Sequence, residues 1–216
     1  MPKEAASKET PPRGSPTLRT PTKTAQVLRY FAQHYGGPGV PRKRLVKLAY
    51  MADILSRQYL GRPVTDFQWI KDHYGPNARE LPEATDQLAE QGLAEETMSR
   101  DGERRTIRLR ALPTPALFGF TLGENEVLRY VVENYADMPI EEFIEDVVKE
   151  TDPVKAVERQ GDALPMEIVD GTMARVIGFD LERVLNAERQ AAEGLAITLA
   201  DFVNELRTEL TAGYTK

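Results

Sequence analysis

Few side chains in this 216-residue chain could carry out covalent or acid–base chemistry. There are two histidines, His34 beside an expected helix end and His73 beside an expected turn, and no cysteine. Without cysteine there is no thiol nucleophile, disulfide framework or thiolate zinc site. The four serines, at 7, 15, 56 and 99, sit in no nucleophile-elbow pattern. No glycine loop ends in Lys-Ser/Thr, and Gly36-Gly37-Pro38-Gly39 lacks dinucleotide-fingerprint spacing. Glu141, Glu142, Glu145 and Asp146 recur at helical spacing, the pattern of a solvated face, and no oxygen-ligand loop surrounds them. The expectation is a protein that is not an enzyme and uses no cofactor or metal.

Binding chemistry is better represented. Arg100, Arg104, Arg105, Arg108 and Arg110 flank the turn signal Asp101-Gly102, so a basic β-hairpin is expected. Helices followed by such a wing can hold a duplex, with arginines on phosphates or in the minor groove. The helix that would read the groove opposes this, because it carries Glu80, Glu83, Asp86 and Glu90 against Arg79 alone. Charge is also split along the chain. Residues 1–115 hold 19 Lys and Arg against 13 Asp and Glu, and residues 116–216 hold 9 against 21. Either the molecule has a basic half for an acidic partner, or the halves neutralise each other internally.

The elements that must position these groups follow from pattern and punctuation. Residues 1–22, with five prolines and Leu18 as the one large aliphatic after Met1, read as a disordered tail. Thr24 is expected to cap a helix carrying Val27, Leu28, Phe31 and Tyr35, stopped at Gly36-Gly37. Pro41 suits the start of a second helix with Leu45, Leu48, Ala52, Leu55 and Tyr59 on its apolar stripe, ended by Gly61. Arg42, Lys43, Arg44 and Lys47 on its first turns form a binding feature or a solvated face. Val64 to Ile70 alternates like a strand, and Tyr74-Gly75-Pro76-Asn77 reads as a break. Leu81, Ala84 and Leu88 mark a third helix before the hairpin. After a linker at Pro113 and Pro115, Thr121 and Glu124 form a capping box, Pro139 opens another helix, and Asp152-Pro153 starts a short helical or looped stretch. Leu195, Leu199, Phe202 and Leu206 form the stripe of a C-terminal amphipathic helix, whose burial site is the core, a second copy or a partner.

One stretch carries a resemblance. Arg44-Leu45-Val46-Lys47-Leu48-Ala49-Tyr50-Met51-Ala52-Asp53 is followed by Gly61-Arg62-Pro63-Val64, Phe67-Gln68-Trp69, His73-Tyr74-Gly75-Pro76, and a helix ending at Gly92. With the stretch from Pro139 to Asp162, this resembles the Panacea domain, the SocA-like antitoxin family, over about residues 24–165. The resemblance implies a mainly helical domain that neutralises a protein toxin encoded beside it, by sequestration or as an adaptor to a ClpX-type protease. Among the signature residues Leu45, Lys47, Leu48, Tyr50, Asp53, Gly61, Pro63, Trp69, Tyr74, Gly75 and Pro76, most are expected to be structural: the large apolar ones build core and the glycines and proline set turns.

The expected architecture is a mainly α (α+β) fold: tail 1–22, domain 23–168 with a small β-hairpin element, and helical extension 169–216. The expected function is an antitoxin that binds a cognate protein toxin, with the stripe at Leu195, Leu199, Phe202 and Leu206 as a candidate partner surface or a homo-oligomer contact. The alternative is a DNA-binding regulator using the basic hairpin. No apolar run approaches the ~18 residues of a membrane span and no signal-peptide core is present, so a cytoplasmic location is expected.

Overall fold

A computed structural model of the chain describes residues 20–101, 104–114 and 118–168, together with Asn186, Arg189, Gln190 and Glu193. The expected tail as far as residue 19, and the stripe Leu195, Leu199, Phe202 and Leu206, lie outside the described residues. The fold is the mainly helical α+β arrangement expected. Its centre is the helix α2, Arg42–Leu60, which is buried continuously from Leu45 to Ser56. A helix buried on every side must be wrapped by other elements. Helix α1 (Lys23–Tyr35) and helix α4 (Leu122–Tyr135) pack against it. Gly61 ends α2 at φ +70, donating its N–H to the Arg57 carbonyl, a left-handed cap that glycine takes without strain.

Two small antiparallel sheets flank the helices. One has the order β1-β5-β4, built from β1 (Val40–Pro41), β4 (Ala94–Asp101) and β5 (Arg104–Ala111). The other pairs β2 (Trp69–Asp72) with β3 (Gly75–Ala78). Helix α3 (Leu81–Glu90) joins them. After α4, helix α5 (Ile140–Glu142) runs into a π-helical turn at Phe143–Val148, and the short helix α6 (Asp152–Lys155) follows. The core gathers Leu28 and Phe31 of α1, Leu45, Leu48, Tyr50 and Leu55 of α2, Leu88, Leu109, Leu128 and Phe143. No helix among the described residues is long and apolar enough to cross a membrane.

Several local expectations are corrected. Thr22, not Thr24, caps α1, accepting the Ala25 N–H, while Thr24 Oγ1 accepts the N–H of Asp66 across the chain. Thr22 also donates its N–H and hydroxyl to Gln87 Oε1, which fastens the entry to α1 onto α3. Pro41 stands at the cap of α2 rather than within its first turn. The strand expected over Val64 to Ile70 is β2, which covers only Trp69–Asp72, because Val64 and Thr65 are committed to α2 by hydrogen bonds described below. The stretch expected as a break, from Tyr74 to Asn77, is instead mostly β3. Pro76 is tolerated there because the described β3 pairs with β2 alone, so its missing N–H breaks no ladder.

Candidate functional site

The resemblance-bearing residues lie on α2 and on the loop and hairpin folded over it. Asp53 is fully buried and holds that loop in place. Its Oδ1 accepts the N–H groups of Val64 at 2.9 Å and Thr65 at 2.8 Å. Its Oδ2 accepts the Thr65 hydroxyl at 2.5 Å and the Trp69 indole N–H at 2.8 Å. Burial pushes the Asp53 carboxyl up to about 6, even though these four donors pull the other way. Trp69 packs edge-on to Tyr50 and Phe67, with centroids 5.2 and 5.3 Å away, so the carboxylate sits beneath an aromatic cap. The Tyr50 hydroxyl is 2.8 Å from Thr151 Oγ1, whose own proton goes to the Val148 carbonyl; Tyr50 is therefore the donor. That bond ties α2 to the turn before α6.

The basic residues on the first turns of α2 divide by role. Lys47 is buried, and its ammonium donates to the Pro76 carbonyl on β3. Burial lowers its pKa to about 8; Asp72 supports the charge, and Lys43 and Lys149 oppose it. Arg44 donates to the carbonyls of Tyr135, Ala136 and Met138, at and just beyond the end of α4, where the Ala136 carbonyl also accepts the Tyr35 hydroxyl. Both side chains therefore bind within the protein, and neither forms a solvated face. Lys43 is exposed, with its ammonium 4.6 Å above the ring of Tyr74.

The hairpin under Tyr74 is fastened on both sides. Gly75, at φ +84, lies where an added Cβ would meet Val148 Cγ1 at 3.6 Å and Lys47 Nζ at 3.8 Å. On the other edge of β2, Lys71 exchanges backbone hydrogen bonds with Gly161 and Asp162, and Leu164 donates to Trp69. The Lys71 ammonium donates to the carbonyls of Val154 and Val157. Asp72 accepts the His73 N–H and the Asn77 amide. Of the signature residues, Leu45, Lys47, Leu48, Tyr50, Asp53, Trp69, Gly75 and Pro76 are buried, Pro63 is half-buried, and Gly61 is exposed at its cap. Tyr74 departs from the expected structural role, with 58 % of its surface exposed.

Of the arginines of the expected wing, the side chains of Arg108 and Arg110 are described, and both are engaged within the protein. Arg110 pairs with Glu95 at 2.5 Å, and Arg108 donates to the Gly39 carbonyl at 3.0 Å. The register sets Arg100 opposite Arg105 and Asp101 opposite Arg104. Strand alternation then puts positions 104, 108 and 110 on one face and 100 and 105 on the other. The side chains of Arg100, Arg104 and Arg105, which the expected positive edge also needs, lie outside the described residues. Sequence reasoning also missed the second role of Glu124. Besides closing the capping box with Thr121, its buried carboxylate takes Lys23 and lies 3.4 Å from Arg62. Burial alone would raise its pKa, but the Lys23 hydrogen bond, the Thr121 N–H and the two cations outweigh that and hold it low.

A cavity of about 200 Å³ between the start of α1 and α3 has Asp66, Glu80 and Glu83 on its walls, with the Thr24 hydroxyl 3.4 Å from Asp66 Oδ2. Among the described residues, no group of three His, Cys, Asp or Glu side chains could hold a metal ion. No curated protein and no solved structure matches the chain. The family model for the antitoxin SocA-like Panacea domain matches residues 45–153, half of the chain, which spans α2, the Asp53-held loop, both hairpins, α4 and the π-helical turn. The chain belongs to the SocA-like, Panacea-domain antitoxin family.

Proposed function

We propose that this protein neutralises a cognate protein toxin by binding it directly. Membership of the antitoxin family carries this reading. The burial of the signature agrees with it: Asp53, Lys47, Tyr50 and Arg44 spend their polar groups within the scaffold, which leaves recognition to the surface built over them. Binding, not catalysis, is the proposed activity. The regulator reading has less support, since Arg110 is neutralised by Glu95 and the arginine positions are split between two faces.

The test is growth. The full chain, expressed with the product of the neighbouring gene, should restore growth that this product alone suppresses, and the two should co-purify. A ClpX-type protease adaptor would rescue only in cells holding that protease, whereas a sequestering antitoxin rescues without it. Absence of both rescue and co-purification would overturn the reading.

A further inference from the structure

The β2–β3 tip combines features that its structural role does not require. Tyr74 is a large aromatic held outward, with 58 % of its surface exposed. It packs edge-on against His73 at 4.7 Å and lies under the Lys43 ammonium at 4.6 Å. The strands beneath it are held by Lys47 on one side and by residues 161–164 on the other. An exposed aromatic on a rigid support loses little conformational entropy on binding, the usual property of an interface anchor.

Charge gives the occupant its chemistry. Lys43 ends on a ring, while Lys47 and Lys71 end on carbonyls, so none of these three contacts supplies a counter-charge. Asp72 is the one carboxylate between residues 69 and 78, and both its oxygens are engaged by neutral donors of the hairpin. Asp72 offsets the charge of the buried Lys47, so the cation presented at the tip is Lys43, whose exposed ammonium on the Tyr74 ring favours an anion there.

The geometry points to the β2–β3 tip as the surface that receives an acidic segment of the toxin, with Tyr74 as apolar anchor and Lys43 as charge partner. The inference rests on the antitoxin reading and adds to it the partner's chemistry and the residues that meet it. A carboxylate of the partner pairs with Lys43, and an apolar or aromatic group covers the free face of Tyr74.

The experiment compares full-length wild type, Tyr74→Ala, Tyr74→Phe and Lys43→Glu. Each is titrated with the purified product of the neighbouring gene, melted alone, and assayed for growth rescue. The expected result is at least about a tenfold loss of affinity for Tyr74→Ala and Lys43→Glu, with melting within about 2 °C of wild type. Tyr74→Phe keeps most of the affinity, and Lys43→Glu flattens the salt dependence. Wild-type affinity and rescue in Tyr74→Ala and Lys43→Glu would overturn the inference while leaving the antitoxin reading intact. So would a large drop in the melting temperature of Tyr74→Ala, which would make the tip structural. Tyr74-dependent binding of a single-stranded RNA oligonucleotide, with toxin binding unchanged, would also overturn it. Failure of wild type to bind or rescue would remove both readings together.

Discussion

Asp53 shows how one buried acid organises a fold. Four donors from Val64, Thr65 and Trp69 satisfy a carboxylate that would be costly to bury alone. Asp53→Asn replaces one acceptor with a donor that faces the indole N–H or the backbone amides, so a cost of about 2–4 kcal/mol in denaturant unfolding is expected. A pH effect follows from the raised pKa. Between the ordinary 3.8 and about 6, folded Asp53 keeps a proton that the unfolded chain has released. Its contribution to stability is thus fully present below that window and falls as pH rises through it. The stability gap between wild type and Asp53→Asn should narrow from pH 4 to pH 6; a gap that widens would refute the raised value. Trp69→Ala removes both a donor and a buried aromatic, and about 3–5 kcal/mol of lost stability is expected from the same unfolding measurement.

Elements were legible where their signals are local. The Thr121–Glu124 capping box and the Gly61 stop can be read from neighbours a few residues apart, and the structure has both. Elements fixed by distant partners were not. Strand β1 has only two residues and exists because Val40 pairs with Leu109. The burial of Lys47 is decided by Pro76 returning over α2, and Gly75-Pro76 signals a turn until that hairpin is in place. The sequence could have flagged Asp53, an acid inside the apolar run from Leu45 to Leu55, but not the four donors that meet it. Gly39 tests the distant kind of determination. It sits at φ +69, and an added Cβ would lie 2.7 Å from the Leu109 carbonyl oxygen, which belongs to a paired strand and has little room to move. Gly39→Ala should cost about 2–3 kcal/mol and lower hydrogen-exchange protection at the Val40 and Leu109 amides. Thr121→Ala should cost only about 1 kcal/mol, because α4 keeps its packing against α2.

Across the whole molecule, the basic N-terminal and acidic C-terminal parts are joined as well as contrasted. Lys23 and Arg62 from the basic half meet Glu124 of the acidic half, and Arg44 meets the carbonyls at the end of α4. Part of the split is therefore neutralised internally, which lowers the field available to a polyanion. Duplex DNA needs several cations on one surface, since affinity scales with the phosphates neutralised. On the hairpin, Arg110 is paired with Glu95 and the arginine positions alternate between faces, while α3 would bring Glu83, Asp86 and Glu90 toward the groove. Purified full-length protein should therefore bind duplex DNA no more tightly than non-specific complexes do, with Kd above about 1 µM at physiological salt. It should also show no preference between the DNA upstream of its own gene and a scrambled duplex. Fluorescence anisotropy at two salt concentrations measures both the affinity and the number of phosphates contacted. Nanomolar, sequence-selective binding with a steep salt slope would overturn this expectation and would make transcriptional regulation the primary function. Weak, sequence-blind binding leaves the Lys43–Tyr74 tip as the basic surface with a ligand to find.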